Sequence, residues 1–230
     1  MLDHDPGELR DRHCHDDAFV AVVLEGGYQE AGDEGRWNVG PGDALLHHAF
    51  EAHLNRFEAR GARVLVLDLP SELAGSNHLR GRVEDPDLLV RLAQRDRPAA
   101  SAELAAMFAP VAAPALDWPD RLADDLRQLE PLSLAQWAED NGLRPERLSR
   151  GFRLAYGCTP KAYRAAVRAR AAAAAARTGD ESFAAIAHRL HFTDQAHMTR
   201  AVAALTGATP GWWRRQMDTI QSAARTVIVR

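Results

Sequence analysis

Cysteine is scarce: 230 residues contain only Cys14 and Cys158. Two thiols are too few for a disulfide framework or a four-thiolate zinc site, and their scarcity fits a reducing compartment. Long apolar runs are missing as well, since no stretch holds the ~18 consecutive apolar residues that a membrane-spanning helix needs. The start, Met1-Leu2-Asp3-His4-Asp5-Pro6, lacks both the basic residues and the apolar stretch of a secretory signal. These absences predict a soluble, cytoplasmic protein with no membrane partner. The composition is not that of a disordered chain either, with 46% hydrophobic and 26% charged residues. The length suits one large domain or two modest ones.

The net charge of −4 hides a division. Residues 126–230 carry 16 Lys and Arg against 8 Asp and Glu, a net of +8, whereas residues 1–125 carry 12 against 24, a net of −12. An acidic half joined to a basic half favours two domains. The basic half suits a polyanion, although charge alone is equally compatible with a solvated basic surface.

Residues 18–69 read as short strands between turns. Phe19-Val20-Ala21-Val22-Val23-Leu24 is an apolar run closed by Gly26-Gly27, Trp37-Asn38-Val39 leads into Gly40-Pro41-Gly42-Asp43, and Val64-Leu65-Val66-Leu67 follows Arg60-Gly61. This spacing predicts a small antiparallel sandwich or barrel. After Pro70, apolar residues recur at intervals of three and four, in Leu88-Leu89 with Leu92-Ala93 and in Leu104-Ala105 with Phe108, the mark of amphipathic helices. Pro98 should separate the two helices, and Pro110 and Pro114 should end the second. Asp117-Trp118-Pro119-Asp120 should open a polar connecting helix that reaches about Leu129.

The last hundred residues are expected to be all helix, and they contain one pattern twice at a fixed interval. The first copy runs from Leu134 to Leu143 and on through Arg144-Pro145-Glu146-Arg147-Leu148-Ser149-Arg150-Gly151-Phe152; the second runs from Phe183 to Phe192 and on through Thr193-Asp194-Gln195-Ala196-His197-Met198-Thr199-Arg200. In each, a short apolar helix stops, the chain turns, and a second helix starts at a polar segment. Such a helix-turn-helix lays its second helix in a DNA major groove. Ser133 is the expected N-cap, with Gln136 completing a capping box. Gly142 suits the bend, Pro145 the first turn of the following helix, and Gly157 with Pro160 its end. A long helix should then run from Pro160 to a stop at Thr178-Gly179, its six alanines at 171–176 forming a stiff spacer between the two modules.

Leu148-Ser149-Arg150-Gly151-Phe152, Tyr156-Gly157-Cys158-Thr159-Pro160, Tyr163 through Arg168, Ile186-Ala187, Phe192-Thr193-Asp194-Gln195, Arg200, Leu205-Thr206-Gly207-Ala208-Thr209-Pro210 and Trp213-Arg214 carry a resemblance. The tract from Leu134 to Arg215 resembles the DNA-binding domain of the AraC/XylS family of bacterial transcription regulators. That resemblance implies two helix-turn-helix subdomains joined by a long helix, facing major-groove segments about one DNA turn, ~34 Å, apart. It assigns Glu146, Ser149 and Arg150 to the first recognition helix and Gln195, Ala196, His197 and Arg200 to the second. Arg suits guanine, Gln suits adenine, and Ser suits either. Arg147, Arg153, Arg189 and Arg214 would be phosphate contacts or solvated charges. Arg150 or Arg200 in an intramolecular ion pair, and His197 merely exposed, are the competing readings. The sequence also departs from the family. His191 replaces the usual glycine of the second turn, Met198 and Val202 replace aromatics, and Ala203-Ala204 replaces a frequent basic pair. These changes should thin the core and the charge of the second subdomain.

The N-terminal half is similar, more weakly, to the cupin-like sensor domain of many members of that family, through His13-Cys14-His15, the strand into Gly26-Gly27, Pro41-Gly42-Asp43 and His53. Histidines two apart on a strand face one side, so His13 and His15 can reach one ion with His53. Three histidines suffice for a divalent metal such as Zn²⁺ or Ni²⁺ with an open coordination position. No Glu stands at the place a metal-binding cupin would have it; the acidic choices are Asp16, Asp17, Glu25 and Glu30. The family's sensor domain often lacks metal, and histidines that line an organic-ligand pocket, or that merely hydrogen-bond inside the barrel or at its mouth, are together the favoured reading. Of His47 and His48, at most one can join, because neighbours on a strand point to opposite faces. Cys14 would face away from the histidines, and Cys158 reads as a small packed residue.

The expected architecture is thus two domains: an N-terminal all-β cupin-like barrel sensor at 1–70 with trailing α-helices at 71–128 for connection or dimerisation, and a C-terminal all-α double helix-turn-helix DNA-binding domain at 129–220. The expected function is a one-component transcription regulator, not an enzyme, in which a small-molecule or metal effector modulates binding to promoter DNA, working as a homodimer on double-stranded DNA. The alternative is a metal-dependent cupin enzyme, an oxygenase or isomerase, fused to a DNA-binding domain.

Overall fold

The computed structural model describes residues 1–76, 79–112, 117–178 and 181–216. The expected breaker Pro114, the stop at Gly179 and the end of the 129–220 segment lie outside the described residues. The chain divides into two compact units, one of Met1–Arg121 with Arg150–Cys158, the other of Leu122–Ser149 with the residues from Thr159 on. No described helix is long and apolar enough to cross a membrane.

The first unit is built on one antiparallel sheet. Its centre is two long strands, β3 (Phe19–Gly32) and β6 (Ala52–Asp68), paired along their lengths. β1 (Leu2–His4) and β2 (Leu9–Cys14) both pair with the outer edge of β6. The outer edge of β3 carries β4 (Gly35–Val39) and β5 (Asp43–His47). β7 (Arg80–Val83) joins β5, and β8 (Phe108–Pro110) joins β7. Bulges in the β3–β6 pairing, at Val23/Glu25 and Gly26/Tyr28, bend the long strands. Gly26 has φ 67°, and a Cβ there would strike the Gly61 carbonyl, so the bend needs glycine.

The strand order β1-β6-β3-β5-β7-β8 is an open path, so among the described residues the expected barrel does not close. β7 and β8 also fall in the segment expected to be purely helical. At four and three residues they are too short to show a period, and Phe108, read as the last contact of a helix, opens β8 instead.

A helical layer covers one face of this sheet. α1 (Pro86–Ala93) and α2 (Arg97–Met107) are capped by Asp85 and Asp96, which accept from the Leu88 and Ala99 backbone N–H. Pro98 lies in the first turn of α2 rather than between the helices. Leu89, Ala100 and Leu104 pack with Val20, Val22, Leu46, Leu65 and Leu67. Ala21, Val23, Leu45 and Val64 pack with Tyr28 and Phe57 in a separate cluster. Alternation sends Val20 and Val22 to one face and Ala21 and Val23 to the other. Burial of both faces explains the unbroken apolar run at Phe19–Leu24. The apolar sides of α1 and α2 are spent on their own sheet, which leaves only their outer faces for any second chain.

The helical elements that follow are α3 (Trp118–Arg127), α4 (Leu134–Asp140), α5 (Pro145–Tyr156), α6 (Pro160–Thr178), α7 (Phe183–Arg189) and α8 (Gln195–Thr206). Ser133 caps α4, its Oγ accepting from Gln136 N at 3.3 Å, and Ser182 caps α7 by accepting from Ala185 N at 3.2 Å. The Gln136 side chain donates to Asp140 at 2.9 Å, so only half of the expected capping box forms. Ile186, Ala187, Leu190, Met198 and Val202 pack against Ala172 and Ala173. Met198 and Val202 are fully buried, and Phe183, Phe192 and Trp213 pack against the same cluster. Ala172 and Ala173 of the alanine tract are thus part of this packing surface.

Candidate functional site

The two helix-turn-helix bends share one hydrogen-bond pattern. In the first, Gly142 N donates to Glu139 O at 3.0 Å and Leu143 N to Ala138 O at 2.8 Å; in the second, His191 N donates to His188 O at 3.1 Å and Phe192 N to Ala187 O at 2.9 Å. Both bends need a left-handed residue. Gly142 has φ 65° and His191 has φ 57°. A side chain at that φ is disfavoured, which is why the usual residue there is glycine.

Each second helix buries one stripe and exposes another. Leu148 and Phe152 of α5 are buried, while Glu146, Arg147, Ser149, Arg150 and Arg153 are exposed. Met198 and Val202 of α8 are buried, while Gln195, Ala196, His197 and Arg200 are exposed. Asp194 starts α8 by accepting from His197 N at 2.6 Å. The His197 ring stands edge-on to Phe192 with centroids 5.3 Å apart. Among the described residues, Arg150 and Arg200 make no ion pair. Arg189 pairs with Glu181 at 2.7 Å, and Arg214 donates to the Glu181 carbonyl at 2.8 Å with its guanidinium 4.0 Å from the Phe183 ring centre. Neither is simply a solvated charge.

The first unit holds a cavity of about 540 Å³ beside the sheet face of Ala21, Tyr28 and Val64. The three histidines picked out from sequence all line it. Antiparallel register puts His13 opposite His53, with ring centres 4.6 Å apart. His15 lies 5.0 Å from His13 and 5.4 Å from His53 by the same measure. One ring nitrogen from each of the three falls within 4.8 Å of the others. His13 Nδ1 lies 2.7 Å from the Asp11 carbonyl, which can only accept, so Nδ1 donates in this contact.

Two further residues enter the cavity. His47 is buried there, whereas His48 turns to Glu51 at 3.8 Å. Of the four acidic choices, Asp16, Asp17 and Glu30 line the cavity and Glu25 does not. Glu30 alone among them joins histidines, with His47 and His53, in a set of donor atoms within 4.8 Å. Asn55 Nδ2 donates to Glu30 Oε2 at 2.9 Å. Burial lowers the pKa of His53 to about 2 and of His47 to about 3, so both rings are neutral. Burial, with the Glu51 charge adding to it, pushes the Glu30 carboxyl well up. Burial also raises the Cys14 thiol, which makes it a poor thiolate at neutral pH. Neutral imidazoles opposite the apolar wall of Phe19, Val64 and Val66 can accept hydrogen bonds from an organic guest or ligate a cation.

The family model described as AraC-like ligand binding domain matches residues 2–134, and that of a helix-turn-helix domain matches residues 137–216. Among solved structures, the chain is similar to the DNA-binding domain of AdpA, a global transcriptional factor in complex with a target DNA, at 17% identity over 46% of this chain and 98% of that one, TM-score 0.43. It is similar over 92% of both chains to ToxT from Vibrio cholerae strain SCE256 with unsaturated fatty acid bound, at 10% identity and TM-score 0.43. A probable AraC family transcriptional regulator from Rhodopseudomonas palustris CGA009 is similar at 16% identity over 42% of this chain and 93% of that one, TM-score 0.39. No curated protein matches the chain.

Proposed function

The chain belongs to the AraC family of transcription regulators, with a ligand-binding domain followed by a helix-turn-helix DNA-binding domain, and we propose where each of its two tasks is done. It is a ligand-modulated, DNA-binding regulator. The exposed stripe of α5, with Glu146, Ser149 and Arg150, reads one major-groove segment. That of α8, with Gln195, Ala196, His197 and Arg200, reads the next. Arg147 and Arg153 hold phosphates. His13, His15 and His53 contact the effector, a small molecule or a metal ion. Two copies of the chain associate through the outer faces of α1 and α2. No catalytic step is involved: the effector acts by binding unequally to two arrangements of the protein.

The observation that carries the DNA reading is that Arg150 and Arg200 stand exposed and unpaired, among the described residues, at corresponding places on two helices whose opposite stripes are buried. Selection of duplexes from a random library by the full chain tests it. The expected product contains two half-motifs about 10 base pairs apart, and Arg150→Ala should relax one base pair within them. Failure to enrich any motif rejects the assignment. Screening compounds for thermal stabilisation then finds the effector; His13→Ala, His15→Ala and His53→Ala should lose the response to it while the selected duplex is still bound. Normal responses from all three would move the sensing site elsewhere.

A further inference from the structure

The cavity contains a second group of donors, more deeply buried than the pair His13 and His15. Glu30, His47 and His53 are 3%, 2% and 4% exposed. They come from β3, β5 and β6, the last two strands lying on either side of the first. One atom from each falls within 4.8 Å of the others. Nδ1 of His47 and Nδ1 of His53 are buried without a hydrogen-bond partner, a standing cost to the fold unless a guest satisfies them.

The charge at this place is also incomplete. Glu30 lies 3.7 Å from His47 Nε2 and accepts from Asn55, but no Lys or Arg pairs with it among the described residues. A buried carboxyl group that no Lys or Arg pairs with among the described residues, beside two imidazoles with unpartnered nitrogens, has the donor composition of a site for a borderline divalent cation. The carboxylate supplies charge and the imidazoles supply nitrogen. Asn55 is placed to orient the carboxylate as an outer-shell group does.

We propose that Glu30, His47 and His53 together bind one divalent transition ion of the zinc, cobalt or nickel class. Three protein ligands leave coordination positions open to the cavity, which His13 and His15 also line. Only the regulatory meaning of the ion rests on reading the cavity as the sensing site; binding itself does not.

The full chain, without an affinity tag, is stripped with chelator, dialysed, and titrated with Zn²⁺ by calorimetry and with Co²⁺ by visible and X-ray absorption. One ion per chain with two imidazoles in the Co²⁺ shell is expected. Glu30→Gln and His47→Gln should each weaken Zn²⁺ binding by about tenfold or more, and His48→Gln should leave it unchanged. No stoichiometric ion in the native protein overturns the proposal. So does a three-imidazole shell that is lost with His13→Ala but kept in Glu30→Gln, which would put the ion on the outer histidines. Circular dichroism follows the fold of each variant; if a buried variant unfolds, the imidazole count of the native protein decides. Binding of the selected duplex is measured alongside. Intact DNA binding without an ion rejects the metal site and spares the regulator, whereas an ion bound by a protein that selects no duplex does the reverse.

Discussion

The two helix-turn-helix units make the same bend from different materials. Each begins at a serine cap, and each closes with the same pair of backbone hydrogen bonds. The first places Gly142 at the left-handed position and the second places His191 there. Their inward residues differ too: Trp137 and Phe152 in the first correspond to Ile186 and Val202 in the second. In the second, these smaller residues pack with Ala172 and Ala173 of α6, and Phe183, Phe192 and Trp213 pack against the same cluster. The backbone pattern defines the motif, and side chains adjust what it costs.

Four experiments sharpen or break that comparison, beginning with the largest effect. Trp137→Ala, which also removes a 2.6 Å hydrogen bond to Asp125, should cost about 3–5 kcal/mol of stability and Ile186→Ala about 2–5 kcal/mol, read by denaturant unfolding. A cost near zero for Ile186→Ala would mean that the alanine-backed core is loose and the units are not equivalent. Arg150→Ala and Arg200→Ala should each lose about 1–3 kcal/mol on the selected duplex and relax one base pair; an effect at one position only would show unequal reading by the two helices. Asp194→Ala should destabilise by about 1 kcal/mol, because α8 loses its cap. His191→Gly should stabilise by about 0.5–1 kcal/mol, since glycine holds that φ without strain. Melting temperature detects the gain, and no gain would mean that the His191 ring repays its strain elsewhere.

The DNA-binding half was legible because helix signals are local. Serine caps, Gly142, Pro145 and Pro160 each act within a few residues of where they stand. The capping box was over-read because Gln136 had a nearer partner in Asp140. The sheet was legible only in outline. Its apolar runs announce strands, but pairing is a long-range matter, and β7 and β8 carry too few residues to declare themselves.

Within the cavity, spacing put His13 and His15 on one side of a strand and the resemblance to a cupin-like sensor added His53, while Glu30 could only be named among four acidic choices. The reason is the bulged stretch of β3. Ala21 and Val23 are odd-numbered residues on the face of Tyr28, yet Tyr28 and Glu30 are even. Counting by twos from the apolar run would therefore send Glu30 to the wrong side of the sheet. A bulge cannot be located without knowing the partner strand.

That same strand has a consequence for how such a protein diversifies. β3 carries two alternating alphabets, one spelling the contacts with the helical layer through Val20 and Val22, the other spelling the cavity through Ala21, Tyr28 and Glu30. Substitutions in the second can retune the guest while leaving the first untouched. A single-residue insertion would transpose both at once, exchanging interior for cavity along the strand. Chemical novelty in this half is accordingly available by replacement and closed to insertion or deletion within β3.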